Sequence, residues 1–574
     1  MMSDEKKLAH NEHLKIDSNY LRGTLAEGLA DTSTGGLTED EQQLLKFHGC
    51  YLQDDRDIRA GRRINKLEKA FSFLIRVRVP GGVATPEQWI KMDNLASDFA
   101  NGTIKLTTRQ AFQLHGVIKT QLKRTIQEIN AAAMDTIAAC GDVNRNVMCN
   151  PNPFLSQAHA DVLKISQDIS EHLTPATGAY HEIWLDGEKV ESTAEEVEPI
   201  YGKTYLPRKF KIAVAVPPSN DVDIHANDLS FVAIVENGKV VGYNVAVGGG
   251  MGMTHGMPET YPRLADIIGF VTPDKVIDVA EKVVMVQRDF GDRTNRKHAR
   301  LKYTIDSHSA DWFLEKVNEY LGYDLEPFRE FKFDDNGDRF GWVEDHQGNF
   351  HLNLFVEGGR VRDDGDSTVR TGLRKIAEIH KGDFRLTGNQ NLIIANVTPE
   401  NRPGIEALLE EHGMLNSHKR SALRLNSIAC VSLPTCGLAL AEAERGLPGV
   451  ITELEEVIEE AGLRHDAITI RMTGCPNGCG RPFLSEIAFV GRAPGKYNLY
   501  LGGGHAGDRL NKLYREALPR TEIRAVLGPI ILDYAKSRED GETFGDFVIR
   551  AGYVAATVNG LDFHDNLKPE VSSA

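Results

Sequence analysis

The stretch "IKLTTRQAFQLHGVIKT" (residues 104–120) has a counterpart in "FRLTGNQNLIIANVTPE" (384–400), and that pairing decides the fold. Both read as strand, Leu-Thr, turn, Gln, apolar strand. "VNRNVMC" (143–149) resembles "RLNSIAC" (424–430) at nearly the same offset, and "GYNVAVGGG" (242–250) resembles "KYNLYLGGG" (496–504) at a somewhat smaller one. The order is kept, and a shorter second half accounts for the change of offset. The period is far too long for a solenoid. It implies a single duplication, with two homologous halves about a pseudo-twofold axis.

Around the first copy, "SFLIRVRVPGG" (72–82) alternates at period two. Phe73, Ile75, Val77 and Val79 face one way, Arg76 and Arg78 the other, and Pro80-Gly81-Gly82 ends the strand. Helices are expected over 86–99 and about 120–134. The first 70 residues are polar and mixed. Within them, "HGCYLQDDRDIRAGRR" (48–63) reads as a surface or partner-binding segment. In "VGGGMGMTHG", a dinucleotide fingerprint fails at His255. "GGGHAG" (502–507) satisfies G-x-G-x-x-G, with a strand expected before it and a helix after. A nucleotide loop stays open there, beside a turn shared by both copies that lies against backbone or cofactor.

The chain has 574 residues and a formal net charge of −16. This length implies several domains. The charge argues against nucleic acid or an anionic membrane as a partner of the whole surface, and makes local clusters of Lys and Arg informative. No apolar run approaches a membrane span. "MMSDEKKLAHNEHLK" lacks the features of a secretory or transit leader, so a cytoplasmic setting is expected. Disulfides are disfavoured there, and paired cysteines point to metal or redox chemistry.

Four of the seven cysteines form two tight pairs: Cys430 and Cys436 in "ACVSLPTCG" (429–437), Cys475 and Cys479 in "RMTGCPNGCG" (471–480). Thiolates are soft ligands, suited to zinc or an iron–sulfur cluster. C-x5-C is wide for zinc and better matched to a larger object, which favours a [4Fe-4S] cluster. Pro476, Asn477 and Gly478 allow a tight wrap, and Gly474 and Gly480 would leave room for sulfide. A zinc-stabilised binding protein, or four thiols used as small core residues, remain as alternatives on spacing alone.

With its flanks, "PTCGLALAEAER" and "RMTGCPNGCGRPFLSEIAFVG", this cysteine pattern resembles the sulfite and nitrite reductase family. The resemblance extends through "SNYLRGTL", "FHGCYLQDDRD", "LTTRQAFQLHG", "VNRNVMC", "TYLPRKFK" and "GETFGDFVIRAG", nearly the whole chain. The flanking stretches look most like the assimilatory, NADPH-dependent branch. The resemblance implies an α+β fold of ferredoxin-like halves and two larger mixed α/β domains. The boundaries expected are a polar segment 1–70 that docks a partner, a first half 71–143, a mixed domain 144–340, a second half 341–422 and a cysteine-bearing domain 423–574.

It further implies siroheme coupled to a [4Fe-4S] cluster held by Cys430, Cys436, Cys475 and Cys479, with Cys479 also bridging to the siroheme iron. Arg76, Arg145, Lys209 and Lys211 fall on the positions that bind sulfite and assist its protonation. Arg109 matches a siroheme carboxylate ligand, as does Lys105 where relatives can have Arg, and Gln113 and His115 share that element. The residues agree in chemistry: a polycarboxylate cofactor and a small anion both need local cations in an acidic chain. The implied reaction is six-electron reduction of sulfite to sulfide in sulfur assimilation and cysteine biosynthesis. Electrons would come from a flavoprotein (alpha) subunit carrying FAD and FMN that oxidises NADPH. A nitrite reductase and a ferredoxin-dependent enzyme are the alternatives.

Overall fold

A computed structural model describes residues 7–152, 155–186, 197–365 and 367–564. The alternating stretch around Arg76 forms the middle of the first group of strands: β1 (Cys50–Asp54), β2 (Phe71–Val77), β3 (Val83–Ala84), β4 (Ile104–Leu106) and β5 (Phe112–Val117). Phe73, Ile75, Val77 and Val79 are all buried. The next group is β6 (Met148–Cys149), β7 (Ile212–Ala215), β8 (Leu229–Glu236), β9 (Lys239–Val247) and β10 (Asp266–Val271). The second copy begins with β11 (Gly341–Glu344), β12 (Phe350–Leu354) and β13 (Arg360–Val361). A short ribbon follows, β14 (Asp363–Asp364) with β15 (Ser367–Thr368), then β16 (Asp383–Leu386) and β17 (Leu392–Val397). The chain ends on β18 (Ser427–Ala429), β19 (Ile470–Thr473), β20 (Ile487–Ala493), β21 (Lys496–Leu501) and β22 (Lys512–Pro519).

The duplication is explicit in the sheets. One runs β1-β2-β5-β4-β13 and its twin β11-β12-β17-β16-β3. Each borrows its fifth strand from the other half, because β13 pairs with β4 and β3 with β16. The other two sheets also match: β6, β7 and β8 are parallel with β9 and β10 antiparallel, and β18 to β22 repeat the pattern.

The exchanged strands are entered through Gly81-Gly82 and Gly358-Gly359, all at positive φ. A Cβ on Gly82 would stand 2.5 Å from the Leu386 carbonyl, and one on Gly359 would stand 2.5 Å from that of Leu106. Only glycine fits where each strand crosses to its twin. The repeat turns agree atom for atom. Thr107 Oγ1 accepts from the N–H groups of Arg109 and Ala111, and Thr387 Oγ1 from those of Asn389 and Asn391.

The expected helices form as Pro86–Asp98 and Lys119–Ala131. Thr85 and Gln88 make a capping box with Pro86 in the first turn. Asp93 on this helix accepts from Arg370 Nε (2.6 Å) and Arg374 Nη1 (2.7 Å) on Val369–Ile379, its twin, and ties the halves together. One apolar core runs through both halves and the first mixed domain, and the last domain has its own.

Two expectations need correction. The segment 48–63 is not uniformly exposed. His48 and Cys50 are fully buried and β1 pairs along its whole length with β2, so only the part beyond Asp54 stays on the surface. Upstream, Leu21, Leu25 and Lys15 are also buried, with Lys15 donating to Glu12 and to the Leu206 carbonyl. The polarity of this region comes from ion pairs folded against the body. Second, "GGGHAG" follows β21 but leads into β22, not a helix, so it is not a dinucleotide loop. Cβ atoms on Gly249 and Gly503 would each meet a carbonyl at 2.3 Å, which makes this the turn against backbone that the two copies share.

Candidate active site

The cysteine pairs come from loops at one end of the last sheet. Cys430 follows β18, and Cys475 and Cys479 follow β19, which lies beside it. Asn477-Gly478 makes the tight turn between the second pair, with Gly478 at positive φ. The Gly474 N–H donates to Cys430 Sγ (3.3 Å) and Asn477 Nδ2 to Cys475 Sγ (3.5 Å). Burial raises the thiol pKa values of Cys430, Cys436 and Cys475, the last to about 12, and the nearby Cys479 raises each further. The other three thiols thus all lie within electrostatic reach of Cys479. Among the described residues, no three His, Cys, Asp or Glu side chains stand close enough to grip a single ion. Gly474 does not make room for sulfide: a Cβ there would collide with Ser432 Oγ and the Ala441 carbonyl.

Facing this loop is the cationic wall of the first copy. The Cys479 thiol is close enough to shift both Arg76 and Lys209. Arg76, on β2, donates to Cys140 Sγ at 3.2 Å and lies 5.9 Å from the Tyr51 ring centroid. The Gln113 amide oxygen, turned toward Arg76, accepts from its Nε at 2.8 Å. Arg78 leaves this group, bonding Thr174 and pairing with Asp135. Arg145 folds onto the Gly141 carbonyl through Nε (3.0 Å) and Nη2 (2.8 Å).

Arg109 donates to Asn227 Oδ1 (2.8 Å) and to the carbonyls of Asn146 (2.6 Å) and Ile212 (3.0 Å), while its buried Nε has no partner. Burial, then Arg481 and Arg145, depress its pKa to about 9. Lys209 and Lys211 are half-buried, and neither ammonium has a hydrogen-bond or ion-pair partner among the described residues. Burial, with Arg208 and Arg300 next, lowers Lys209 to about 7. Burial and then Lys209 take Lys211 well below its usual value.

Two expected cofactor contacts sit differently. The Lys105 ammonium is engaged by Glu444 Oε2 (2.8 Å) and the Gly358 carbonyl. His115 is buried with Nδ1 3.3 Å from Gln53 Oε1, and burial, then Arg360, holds it neutral.

Two contacts bring the copies together at this place. Thr108 Oγ1, in the first repeat turn, donates to the Cys479 carbonyl (2.8 Å). The Met253 N–H, in the first glycine loop, donates to the Pro476 carbonyl (2.9 Å). Arg481 sits at their junction. It pairs with Asp223 and donates to the Thr108 carbonyl (2.5 Å) and the Gly388 carbonyl (2.8 Å), equivalent positions in the two repeat turns. Arg471 Nη1 holds Asp223 Oδ2 at 2.6 Å from the other side.

The family models match where the duplication puts them. "Nitrite/Sulfite reductase ferredoxin-like half domain" matches residues 66–132 and again 343–412, and "Nitrite and sulphite reductase 4Fe-4S domain" matches 165–325. A protein of Paenibacillus sp. (strain JDR-2) named sulfite reductase (NADPH) hemoprotein beta-component is 60% identical over 557 residues, 96% of this chain and 97% of its own. The chain belongs to the nitrite and sulfite reductase family. A protein of the same name from Oceanobacillus iheyensis is 58% identical over 99% of both chains. The solved structure of the Mycobacterium tuberculosis NirA protein superposes with a TM-score of 0.77 at 25% identity, covering 95% of this chain and 97% of that one.

The match named for the 4Fe-4S domain falls on the first copy, which lacks the four paired cysteines. They lie in the copy that repeats its topology. The family's cofactors, siroheme and a [4Fe-4S] cluster, fit the residues present. Four thiols gather in one place, and beside them a half-buried cationic group retains a buried Arg109 Nε without a partner and the ammonium groups of Lys209 and Lys211, unpartnered among the described residues. Buried charges without partners are costly, so the pocket calls for a polyanion.

Sequence reasoning missed Arg481, Asp223, Arg471, Arg300 and Cys140. Arg481 stood beside the last cysteine in "GCGR" and offered the best signal. Arg300 grips Asp228 through both carboxylate oxygens at 2.8 Å, and nothing in the sequence joins those residues.

Proposed function

We propose that this chain is the hemoprotein subunit of a cytoplasmic assimilatory sulfite reductase. In this reading Cys430, Cys436, Cys475 and Cys479 would hold the cluster, with Cys479 nearest the siroheme, and Arg109 with Gln113 would anchor the tetrapyrrole's carboxylates. Siroheme and its cluster, when bound, would pass on the electrons and provide the seat for sulfite's sulfur. Six electrons and six protons convert sulfite to sulfide and three waters, and the chain's own residues handle the oxygens and protons.

Arg76 and Arg145 remain protonated throughout and neutralise the sulfite oxygens. Lys209, lowered to about 7, exchanges protons near neutrality, and Lys211, two residues on, is the other proton donor. The bound anion raises both ammonium pKa values, so they are charged when sulfite is present. The observation that carries this reading is the two ammonium groups of Lys209 and Lys211, without partners among the described residues, in a group of cations that reaches the clustered thiols. Electrons come from a flavoprotein that oxidises NADPH.

The purified protein should show siroheme absorption, iron and acid-labile sulfide. It should reduce sulfite with reduced methyl viologen, and faster than it reduces nitrite. Lys209→Met should keep the spectrum and lower the sulfite rate by about 10²-fold or more. A colourless protein, or nitrite as the better substrate, overturns the proposal.

A further inference from the structure

Arg56 lies in the stretch that reads as surface in the sequence, yet it reaches into the cysteine-bearing domain. Its backbone N–H donates to the Pro434 carbonyl (3.2 Å), and its Nη1 donates to the carbonyls of Ala439 (2.6 Å) and Cys436 (3.4 Å). A residue just after β1 thus spans the turn that presents Cys436, 380 positions further along the chain.

The neighbouring carboxylates do not compete for it. Asp54 is taken by Arg59, through Nε (2.7 Å) and Nη2 (2.6 Å), and Asp57 by Arg445 Nη1 (2.7 Å). Asp55 accepts from the Asp57 N–H (2.9 Å). Arg56 has no ion pair among the described residues, and the partners of its guanidinium are carbonyl oxygens of the turn.

The turn needs such a hold. The Cys430 N–H donates to the Met472 carbonyl (3.2 Å) and its carbonyl accepts from the Glu444 N–H (3.1 Å). The second pair is tied to the first copy through Thr108 and Met253. The Cys436 turn juts outward: Leu438 is 68% exposed, and a Cβ on Gly437 would meet nothing within 4 Å. Within it, the Cys436 N–H donates to the Ser432 carbonyl (3.0 Å) and the Ala439 N–H to the Cys436 carbonyl (3.2 Å). Exposed turns closed by such short-range bonds open readily unless a tertiary contact holds them. Charge-assisted bonds from one guanidinium to two carbonyls supply that contact. They also bring a positive charge that reaches the Cys436 sulfur. Reduction adds an electron to an iron–sulfur cluster, and a fixed cation beside one of its ligands favours the reduced form.

We propose that Arg56 is a positioning residue for the Cys436 corner of the cluster site: it locks the turn that presents this thiol, and its charge raises the reduction potential of the bound cluster. This rests on the proposed function, in which the four cysteines hold that cluster. It gives the segment after β1 a part in setting the cluster's potential from outside the ligand set.

The test uses the full-length holoprotein. Arg56→Gln removes the charge, and Arg56→Lys keeps it while losing the guanidinium. Arg62→Gln is the control, a cation on the exposed helix Arg59–Ile64 that donates to the Glu68 carbonyl instead. In Arg56→Gln, iron release to a chelator should speed up by about tenfold or more. The midpoint potential of the cluster, followed by its electron paramagnetic resonance signal, should move negative, and amide hydrogen exchange over residues 436–440 should accelerate. Arg56→Lys should recover most of the potential and keep the faster exchange. Arg62→Gln should match wild type in all three measurements.

An unchanged potential or unchanged exchange in Arg56→Gln overturns the proposal. So does an equal shift of potential in Arg62→Gln, which would make the effect one of overall charge. Should Arg56→Gln fail to fold, Arg56→Lys decides, and wild-type exchange and iron release in that variant overturn the role. A wild-type chain that binds neither iron nor sulfide would sink the proposed function, and amide exchange of the turn would then decide by itself whether Arg56 holds it.

Discussion

Arg481 shows how much one side chain can hold. It lies two positions beyond Cys479, and its guanidinium reaches Asp223, Thr108 and Gly388 at once. Three directed bonds from a planar fork fix the loop that carries the Cys479 thiol against both repeat turns. Asp223 and Arg481 are both left-handed residues that precede short 3-10 turns, Ile224–Ala226 and Pro482–Leu484. They occupy twin places in the two copies and have diverged to opposite charge. Lysine at 481 keeps the charge and loses the fork. Arg481→Lys should therefore retain the cluster's iron and sulfide but shift the visible spectrum and the reduction potentials. If Cys479 is a ligand as proposed, turnover should fall by about 10- to 100-fold, the range expected when support behind a metal ligand is lost. Wild-type spectra and potentials would show that the fork positions nothing.

Among the elements, the exchanged strands β3 and β13 make the two sheets interdependent. Each is only two residues long and is entered through two glycines. Gly82→Ala and Gly359→Ala each put a methyl group against a carbonyl of the opposite half, at a φ that L-residues avoid. Each should lower unfolding stability by about 1–3 kcal/mol, measured from urea transitions. Gly61→Ala, in an exposed helix with open space around it, should be neutral or gain up to about 1 kcal/mol. Equal stability in all three would mean the exchanged strands carry no load. The strands themselves were legible in the sequence. Period-two alternation placed β2, and the repeated Leu-Thr turn placed β4, β5, β16 and β17, because these depend on local pattern. That β13 joins β4 was not legible, because nothing near Arg360 names a partner more than 250 residues away.

Across the whole molecule, Glu444 links the first half, the second half and the last domain. It accepts from Lys105 (2.8 Å) and from Arg360 Nε (2.7 Å), and its own N–H donates to the Cys430 carbonyl. Burial alone would raise its pKa, but Lys105 and then Arg360 outweigh burial and hold it at about 2. Burial also pushes Lys105 down, so the pair is worth less than the Glu444 shift alone suggests. A carboxylate depressed in the folded state stabilises above its unfolded value, near 4.5. That contribution drains away as pH falls toward 2, because the unfolded chain binds the proton first. Glu444→Gln leaves two cations buried without their counter-charge and should cost about 3–5 kcal/mol at neutral pH. Acid titration of the variant, followed by circular dichroism, should lack the wild-type loss of stability between about pH 4.5 and 2. An unchanged acid profile would place the linkage elsewhere.

The sequence by itself determined the duplication, the local strands and helices, the four cysteines and most of the cations, because repeats, periodicity and ligand spacing are local or self-similar properties. Only the tertiary structure decided which charges meet. It gave Arg76 to the pocket and Arg78 to Thr174, tied Lys105 to Glu444, and brought Cys140, Asp223 and Arg481 to the junction. It also folded β1 into a sheet while leaving the helix after it bare. The physical reason is that charge pairing and burial depend on distance in space, and a pseudo-twofold fold joins residues whose separation along the chain carries no record of it.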